Sequence, residues 1–303
     1  MNVLIEQINT LRKEKNAVIL CHNYQRREMQ DIADYLGDSL GLSQKASELD
    51  AEVIVFCGVD FMAESAAILC PEKTVLLPEL CAECPMAAMI TPDKLRSLKA
   101  MHPDAAVVCY VNTSASVKAE SDICCTSSNA VNVVNSVDSD EIIFVPDKNL
   151  ALYAASHSDK TIIPFDGYCP THHQILESDV LLAKEKHPEA EVLVHPECRP
   201  EVIALADHVF STDGMVKYVR STGCDEFIVA TEKGLVYRLN RENPGKIFHL
   251  ASSHIVCPAM KMISLQDIVD ALEKNQHVVS VPEEIRVKAE KALDAMMDVG
   301  RNR

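Results

Sequence analysis

The sequence predicts an α/β fold in which one unit, a small parallel sheet flanked by helices, is used three times. Three observations predict it. Short continuous apolar runs alternate with helical stretches, the order of a parallel sheet with helices on its faces. The runs fall into three passes of the same order. A cysteine followed by proline closes each pass, at Cys84, Cys169 and Cys257, at intervals of 85 and 88 residues (169 − 84 and 257 − 169). An interval that long and that constant marks a structural repeat.

The elements follow in order. Residues 2–15 carry Val3, Leu4, Ile8 and Leu11 at helical spacing. AVILC (17–21) is a continuous apolar run, as a strand buried on both faces of a parallel sheet should be. HNYQ follows, then a helical stretch over about 28–36 and a second over 38–49. VIVFC (53–57) is the next strand, 61–70 a helix and TVLL (74–77) a third strand. The Cys84 loop leads to a helix over 92–101. The second pass supplies strands at 105–110, 141–145 and 161–165, and the third at 191–195, 226–230 and 246–250. Two more helices, 265–275 and 282–297, enclose VVSV. The recurrence divides the chain into 1–101, 102–187 and 188–303, the last carrying the two extra helices.

Composition narrows the function. Of 303 residues, 45 are Asp or Glu and 29 Lys or Arg, a net charge of −16, which argues against a nucleic-acid surface. No run of about 18 apolar residues offers a membrane span. The N-terminal stretch lacks a signal-peptide core, so the expected compartment is the cytoplasm. There is no Walker loop and no GxGxxG fingerprint. Twelve cysteines in a reducing compartment are packing residues or ligands, not disulfides.

Laying the repeats on each other aligns His22 with Tyr110 and His195, Tyr24 with Asn112 and Glu197, and Ser39 with Ser127 and Thr212. All nine are polar, and the first six stand at or just past the carboxyl end of the first strand of each unit, where open parallel sheets bind ligands. His22 and His195 can move protons near neutral pH, and Glu197 can act as a base. Tyr24 and Tyr110 can donate to an oxyanion or relay a proton. Ser39, Ser127, Ser211 and Thr212 suit helix N-caps, and equally an anion site at helix starts. His172 and His173 follow Cys169 and face either the centre or solvent. Lys261 is the one cation close in sequence to a candidate ligand.

Cys84, Cys169 and Cys257 lie in loops at a repeated position and can meet on a common axis as metal ligands. Cys21, Cys57 and Cys109 lie within strand runs and suit packing. A structural zinc site wants a fourth protein ligand, which a threefold arrangement does not offer. A 4Fe–4S cluster on three thiolates leaves one iron open.

The motif series resembles the quinolinate synthase family over nearly the whole chain. HNYQ (22–25), GDSL (37–40), CPMA (84–87), YVNTSA (110–115), GYCPTHH (167–173), HPEC (195–198), STDGM (211–215) and CPAMK (257–261) carry the resemblance. It implies three pseudo-symmetric three-layer α/β/α domains around a central active site, with a 4Fe–4S cluster held by Cys84, Cys169 and Cys257. It implies condensation of iminoaspartate with dihydroxyacetone phosphate to quinolinate, in functional coupling with an enzyme that makes iminoaspartate. The family's catalytic and substrate-binding residues carry over to His22, Tyr24, Ser39, Tyr110, Asn112, Ser127, His195, Glu197, Ser211 and Thr212. Cys81, in CAEC (81–84), departs from the family pattern. Other readings of the same residues are an iron–sulfur hydro-lyase acting on a small carboxylic acid, or an iron–sulfur sensor that binds a metabolite without turning it over.

Overall fold

The computed structural model describes residues 2–301. The first repeat runs α1 (Asn2–Glu14), β1 (Ala17–His22), α2 (Arg27–Ile32), β2 (Tyr35–Gly37), α3 (Ser39–Glu48), β3 (Val53–Cys57), α4 (Asp60–Leu69) and β4 (Thr74–Leu76). Helix α5 (Pro92–Met101) leads into the second: β5 (Ala106–Tyr110), α6 (Ala115–Lys118), β6 (Ile123–Cys125), α7 (Ala130–Ser136), β7 (Glu141–Val145), α8 (Lys148–Ala155) and β8 (Thr161–Pro164). Helices α9 (Pro170–His173) and α10 (Glu177–Lys186) precede the third. It comprises β9 (Glu191–Val194), α11 (Pro200–Ile203), β10 (His208–Val209), α12 (Thr212–Ser221), β11 (Glu226–Ala230), α13 (Gly234–Glu242) and β12 (Ile247–Leu250). Helices α14 (Leu265–Lys274) and α15 (Glu283–Arg301) follow.

Each repeat folds into its own four-stranded parallel sheet. The orders are β2-β1-β3-β4, β6-β5-β7-β8 and β10-β9-β11-β12, one topology three times. The strands expected from apolar runs are present, each end within one residue. The expected helix over 28–36 is not: α2 ends at Ile32 and β2 begins at Tyr35. Its counterparts β6 and β10 also carried no sequence signal. Strands of two or three residues are too short to show a period.

What sets these edges is a repeated aspartate. Asp34 takes the Ile19 N–H at 2.9 Å and gives its own N–H to the Ile19 carbonyl at 3.0 Å. Asp122 does the same to Val107 and Asp207 to Val192, at 2.7 and 2.8 Å for the side-chain bonds. The lysine before or at the fourth strand repeats too. Lys73 donates to the carbonyls of Ala46 and Leu49, Lys160 to those of Val137 and Ser139, and Lys246 to those of Val219, Thr222 and Cys224. Each therefore covers the carbonyl end of its repeat's central helix, α3, α7 or α12, where a cation is favoured.

The last two helices leave the third repeat. Helix α14 packs on α1 and β3, and Val278 bridges antiparallel to Leu76 at the edge of the first sheet. Helix α15 lies across β6, α6 and α4, burying Ala289, Ala292, Leu293 and Met296, a stripe at helical spacing. The chain's end thus ties the first two repeats together. No helix among the described residues is long and apolar enough to cross a membrane. Leu293 is fully buried, so Leu293→Ala is expected to lower unfolding free energy by roughly 2–5 kcal/mol in urea titration. A loss below about 1 kcal/mol contradicts a tightly docked α15.

Candidate active site

Parallel strands all point one way, and the ends of β1, β5 and β9 meet at one inner cavity of about 60 Å³. His22, Tyr110 and His195 line it from the strand ends, and Tyr24, Asn112 and Glu197 from two residues further on. Ser39, Ser127 and Thr212 line it from the segments leading into α3, α7 and α12. Cys84, Cys169 and Cys257 enter from the loops after the fourth strands. Ser211 is the exception. It caps α12 through the Gly214 N–H, donates to Asp38 at 3.1 Å and lines an adjoining outer cleft of about 440 Å³. Asp38 and Ser127 border both spaces.

Among the four candidate caps, only Ser211 accepts from its helix. Asp38 caps α3 in place of Ser39, and Asn129 stands at the N-cap of α7. Ser39 is thus free of a capping role, while Thr212 accepts from Asn23 Nδ2 at 2.8 Å. Burial and the neighbouring Asp213 push the Asp38 carboxyl up to about 6. Asp213 is itself held by Arg238 at 3.1 Å and Asn23 at 2.9 Å.

Glu197 is the charged centre. Burial opposes its ionisation, but His172 and the Tyr110 hydrogen bond outweigh burial and hold the carboxyl below its usual range. His172 Nδ1 lies 2.6 Å from Glu197 Oε2 and His195 Nδ1 3.6 Å from it. His172 Nε2 is 2.8 Å from the Thr231 hydroxyl, which is 2.6 Å from the Tyr24 hydroxyl. Tyr24, Thr231, His172 and Glu197 therefore form one continuous hydrogen-bonded line. Sequence reading left His172 and His173 undecided. The structure buries His172 in the cavity and puts His173 outside, against Tyr168. Thr231 opens TEKGL (231–235), a stretch that shares in the resemblance, but it lies outside the aligned strand ends and had no role assigned.

His22 and His195 are built alike. The backbone N–H two residues on donates to Nδ1 in each, from Tyr24 at 3.1 Å and from Glu197 at 3.3 Å. Nδ1 is therefore the acceptor nitrogen, and the neutral ring carries its proton on Nε2. Burial lowers His22 to about 4 and His195 to about 3. Asn112 gives Nδ2 to Glu197 at 3.5 Å, while its Oδ1 is buried with no partner among the described residues. Lys261 does not reach the cavity; it binds Glu232 at 3.0 Å and the Tyr24 carbonyl.

The three cysteines share one local design. Cys169 is extended (φ −76°, ψ 112°) and stands at the N-cap of α9, with Pro170 as first helical residue. Cys84 and Cys257 likewise precede a proline and a short turn, Ala87–Met89 and Ala259–Lys261. Each thiol faces the backbone N–H three residues on, at Ala87, His172 and Met260. Burial pushes all three thiols up, Cys84 to about 12, and Cys257 adds repulsion at both others. A cation among them reverses that repulsion. Their sulfurs do not all lie within 4.8 Å of one another. Three thiolates on a single ion sit about 4 Å apart, given bonds near 2.3 Å. The donor set therefore suits a polynuclear cluster better than one ion, and an iron–sulfur centre fits it. Cys169, His172 and Glu197 do lie within that range of one another. The strand cysteines Cys21, Cys57 and Cys109 are buried packing residues, and Cys81 is exposed.

Three α/β units that bring one thiol each, with histidines, tyrosines and a carboxylate, to one cavity have the make-up of an enzyme with a metal-competent centre. Comparison with known proteins makes this specific. The quinolinate synthetase A protein family matches residues 6–298. Quinolinate synthase 1 of Methanosarcina acetivorans is 60% identical over 296 residues, 98% of this chain and 97% of its own. The quinolinate synthase of Geotalea uraniireducens is 56% identical over 296 residues, 98% and 97% of the two chains. That of Thermodesulfovibrio yellowstonii is 54% identical over 298 residues, 98% of each. The chain belongs to the quinolinate synthase family, iron–sulfur enzymes of NAD biosynthesis.

The buried histidines make acid costly. His22 falls from an ordinary 6.5 to about 4, so across that window the unfolded chain binds a proton that the folded chain refuses. The stability is fully present above pH 6.5 and is lost as pH falls towards 4. His22→Gln is expected to remove up to about 3 kcal/mol of this acid loss, read by urea unfolding at pH 7 and 4.5. An unchanged pH dependence contradicts a neutral buried His22.

Proposed function

We propose that this chain condenses iminoaspartate with dihydroxyacetone phosphate to give quinolinate, phosphate and water. The observation that carries the reading is the meeting of one cysteine and one polar strand end from every repeat in a single cavity. Cys84, Cys169 and Cys257 are the ligands of a 4Fe–4S cluster, with the division at 101/102 and 187/188 giving one ligand to each unit. Bound there, the cluster supplies a Lewis-acidic iron for dehydration.

The chain's own groups do the rest. Ser39, Ser127 and Thr212, with the N–H groups of their helix starts, bind the carboxylates and phosphate without an arginine. The unpaired Asn112 Oδ1 accepts from an imine or amine N–H. Tyr110, which bonds to Glu197, orients the same end of the substrate. Glu197, already ionised, takes the proton that isomerisation releases, and the neutral His195 and His22 offer their Nε2–H groups as hydrogen bonds to substrate oxygens. The line from Tyr24 through Thr231 and His172 carries protons between Glu197 and the leaving oxygen. Phosphate enters from the outer cleft, where Ser211 and Lys217 lie. Iminoaspartate hydrolyses readily in water, so functional coupling to the enzyme that makes it follows. The reducing cytoplasm suits the exposed thiol of Cys81 and a cluster with an open iron.

Anaerobic incubation with oxaloacetate, ammonia and dihydroxyacetone phosphate tests the reading, and quinolinate should accumulate. A cluster-loaded protein that makes none overturns it. Cys169→Ala is expected to lose the brown chromophore and turnover while staying folded; an iron-loaded, fully active variant removes Cys169 from the ligand set. Glu197→Gln should keep the chromophore and lose at least about 100-fold in kcat. Undiminished turnover removes Glu197 from the proton path.

A further inference from the structure

Each cysteine loop is tied to a carboxylate from its own repeat, and the tie is the same three times. The Cys84 N–H donates to Asp60 Oδ1 at 3.0 Å, the Cys169 N–H to Asp147 Oδ2 at 3.0 Å, and the Cys257 N–H to Glu232 Oε1 at 3.2 Å. The acids stand 87 and 85 residues apart (147 − 60 and 232 − 147), the period of the cysteines. All three follow the third strand of their sheet, where the chain turns into α4, α8 or α13. The second oxygen is also in use. Asp147 Oδ1 accepts the Leu150 N–H at 2.8 Å, and Glu232 Oε2 the Gly234 N–H at 2.6 Å.

Neither packing nor capping alone explains the acids. Asp147 and Glu232 are fully buried, and an anion beside thiolates is repelled by them; Lys261 offsets that charge at Glu232, while burial and then the Glu197 charge push the Asp147 carboxyl up. A neutral Asn or Ser caps a helix without that repulsion. At Asp147 and Glu232 the carboxylate adds a second acceptor oxygen, so that one rigid group holds the helix start and the cysteine N–H together; Asp60 holds the Cys84 N–H alone. The surroundings are shaped for this contact. A Cβ at Gly167 would run into the Pro146 carbonyl, and one at Gly234 would lie 2.8 Å from Glu232 Oε2. Gly167 thus lets the Cys169 loop approach the Asp147 turn, and Gly234 leaves room for the Glu232 carboxylate over its own helix start. Fixing the cysteine N–H fixes the Cα–Cβ direction, and thereby where the sulfur points.

We propose that Asp60, Asp147 and Glu232 form a ring of positioning carboxylates that hold the three cysteine loops in ligating geometry, one per repeat. The ring rests on the reading that these cysteines hold the cluster. Its effect is on retention of iron: with the N–H bond gone the loop swings, and the thiolate leaves the cluster more often.

The test uses Asp60→Ala, Asp147→Asn and Glu232→Gln in the full chain. At Asp147 and Glu232 an amide keeps the shape but offers one acceptor oxygen, so one of the two N–H groups loses its bond, while Asp60→Ala removes the one acceptor of the Cys84 N–H. Each protein is loaded anaerobically with iron and sulfide. The rate of iron transfer to a ferrous chelator is then read from bleaching of the visible band, beside a thermal melt. Hydrogen exchange of the cluster-free chain is followed at residues 81–87, 167–172 and 255–260. Iron release about tenfold faster is expected, for the loss of one charge-assisted hydrogen bond. Faster exchange should be confined to the mutated repeat's cysteine loop, with the melt nearly unchanged. Release within twofold of the parent in the variants overturns the ring, as does exchange that rises across the whole chain. Should a variant at the buried Asp147 or Glu232 fail to fold, Asp60→Ala, at a half-buried site, decides alone. A parent chain that takes up no iron and sulfide sinks the cluster reading itself; a loaded parent with indistinguishable variants sinks only the ring.

Discussion

The direction of a parallel strand is the constraint on which this molecule depends. Every strand of each sheet runs the same way, so every carboxyl end lies on one side, and connections from strand to helix must begin there. Three such sheets, facing a shared cavity with those sides, deliver strand ends, helix starts and ligand loops to the same few ångströms. Hydrogen-bond donors at helix starts are unsatisfied by the helix itself, and strand ends are where side chains can turn from core to ligand. The site is a consequence of the topology, repeated until it closes on itself.

That arrangement has an electrostatic cost, and the interior shows how it is met. Glu197 is ionised in a buried place because His172 and Tyr110 hydrogen-bond to it. The histidines His22 and His195 are kept neutral by burial and by a backbone N–H directed at Nδ1. The chain places almost no cation inside the cavity. Lys261 turns back to Glu232, and Arg238 is spent on Asp213, Asn23 and Glu242. The polar groups that do face the cavity are hydroxyls, an amide and imidazoles, with Glu197 the charged one among them.

Much of this was legible in the sequence, for physical reasons. Strands buried on both faces read as unbroken apolar runs, and β3, β7 and β11 were bounded correctly because nothing polar interrupts them. The edge strands β2, β6 and β10 were not legible. They are two or three residues long and exist because Asp34, Asp122 and Asp207 clamp the neighbouring strand. The site was visible because repeats diverge where function differs, as His22, Tyr110 and His195 do at one register. Ser211 stood outside that register; it entered as a helix-cap candidate and through the resemblance, and it does cap α12, from the outer cleft beside the cavity. His172 and Thr231 have no repeated counterpart that stands out. Asp60, Asp147 and Glu232 do, and aligning acidic positions as well as strand ends would have found them.

The central claim is that three loops, one from each repeat, put their sulfurs on a single inorganic centre. Anomalous diffraction at the iron edge from anaerobically grown crystals tests it most directly. One compact iron peak touching Cys84, Cys169 and Cys257 is the predicted result. Iron held by Cys169, His172 and Glu197 alone, with the other two thiols apart from it, would contradict the account.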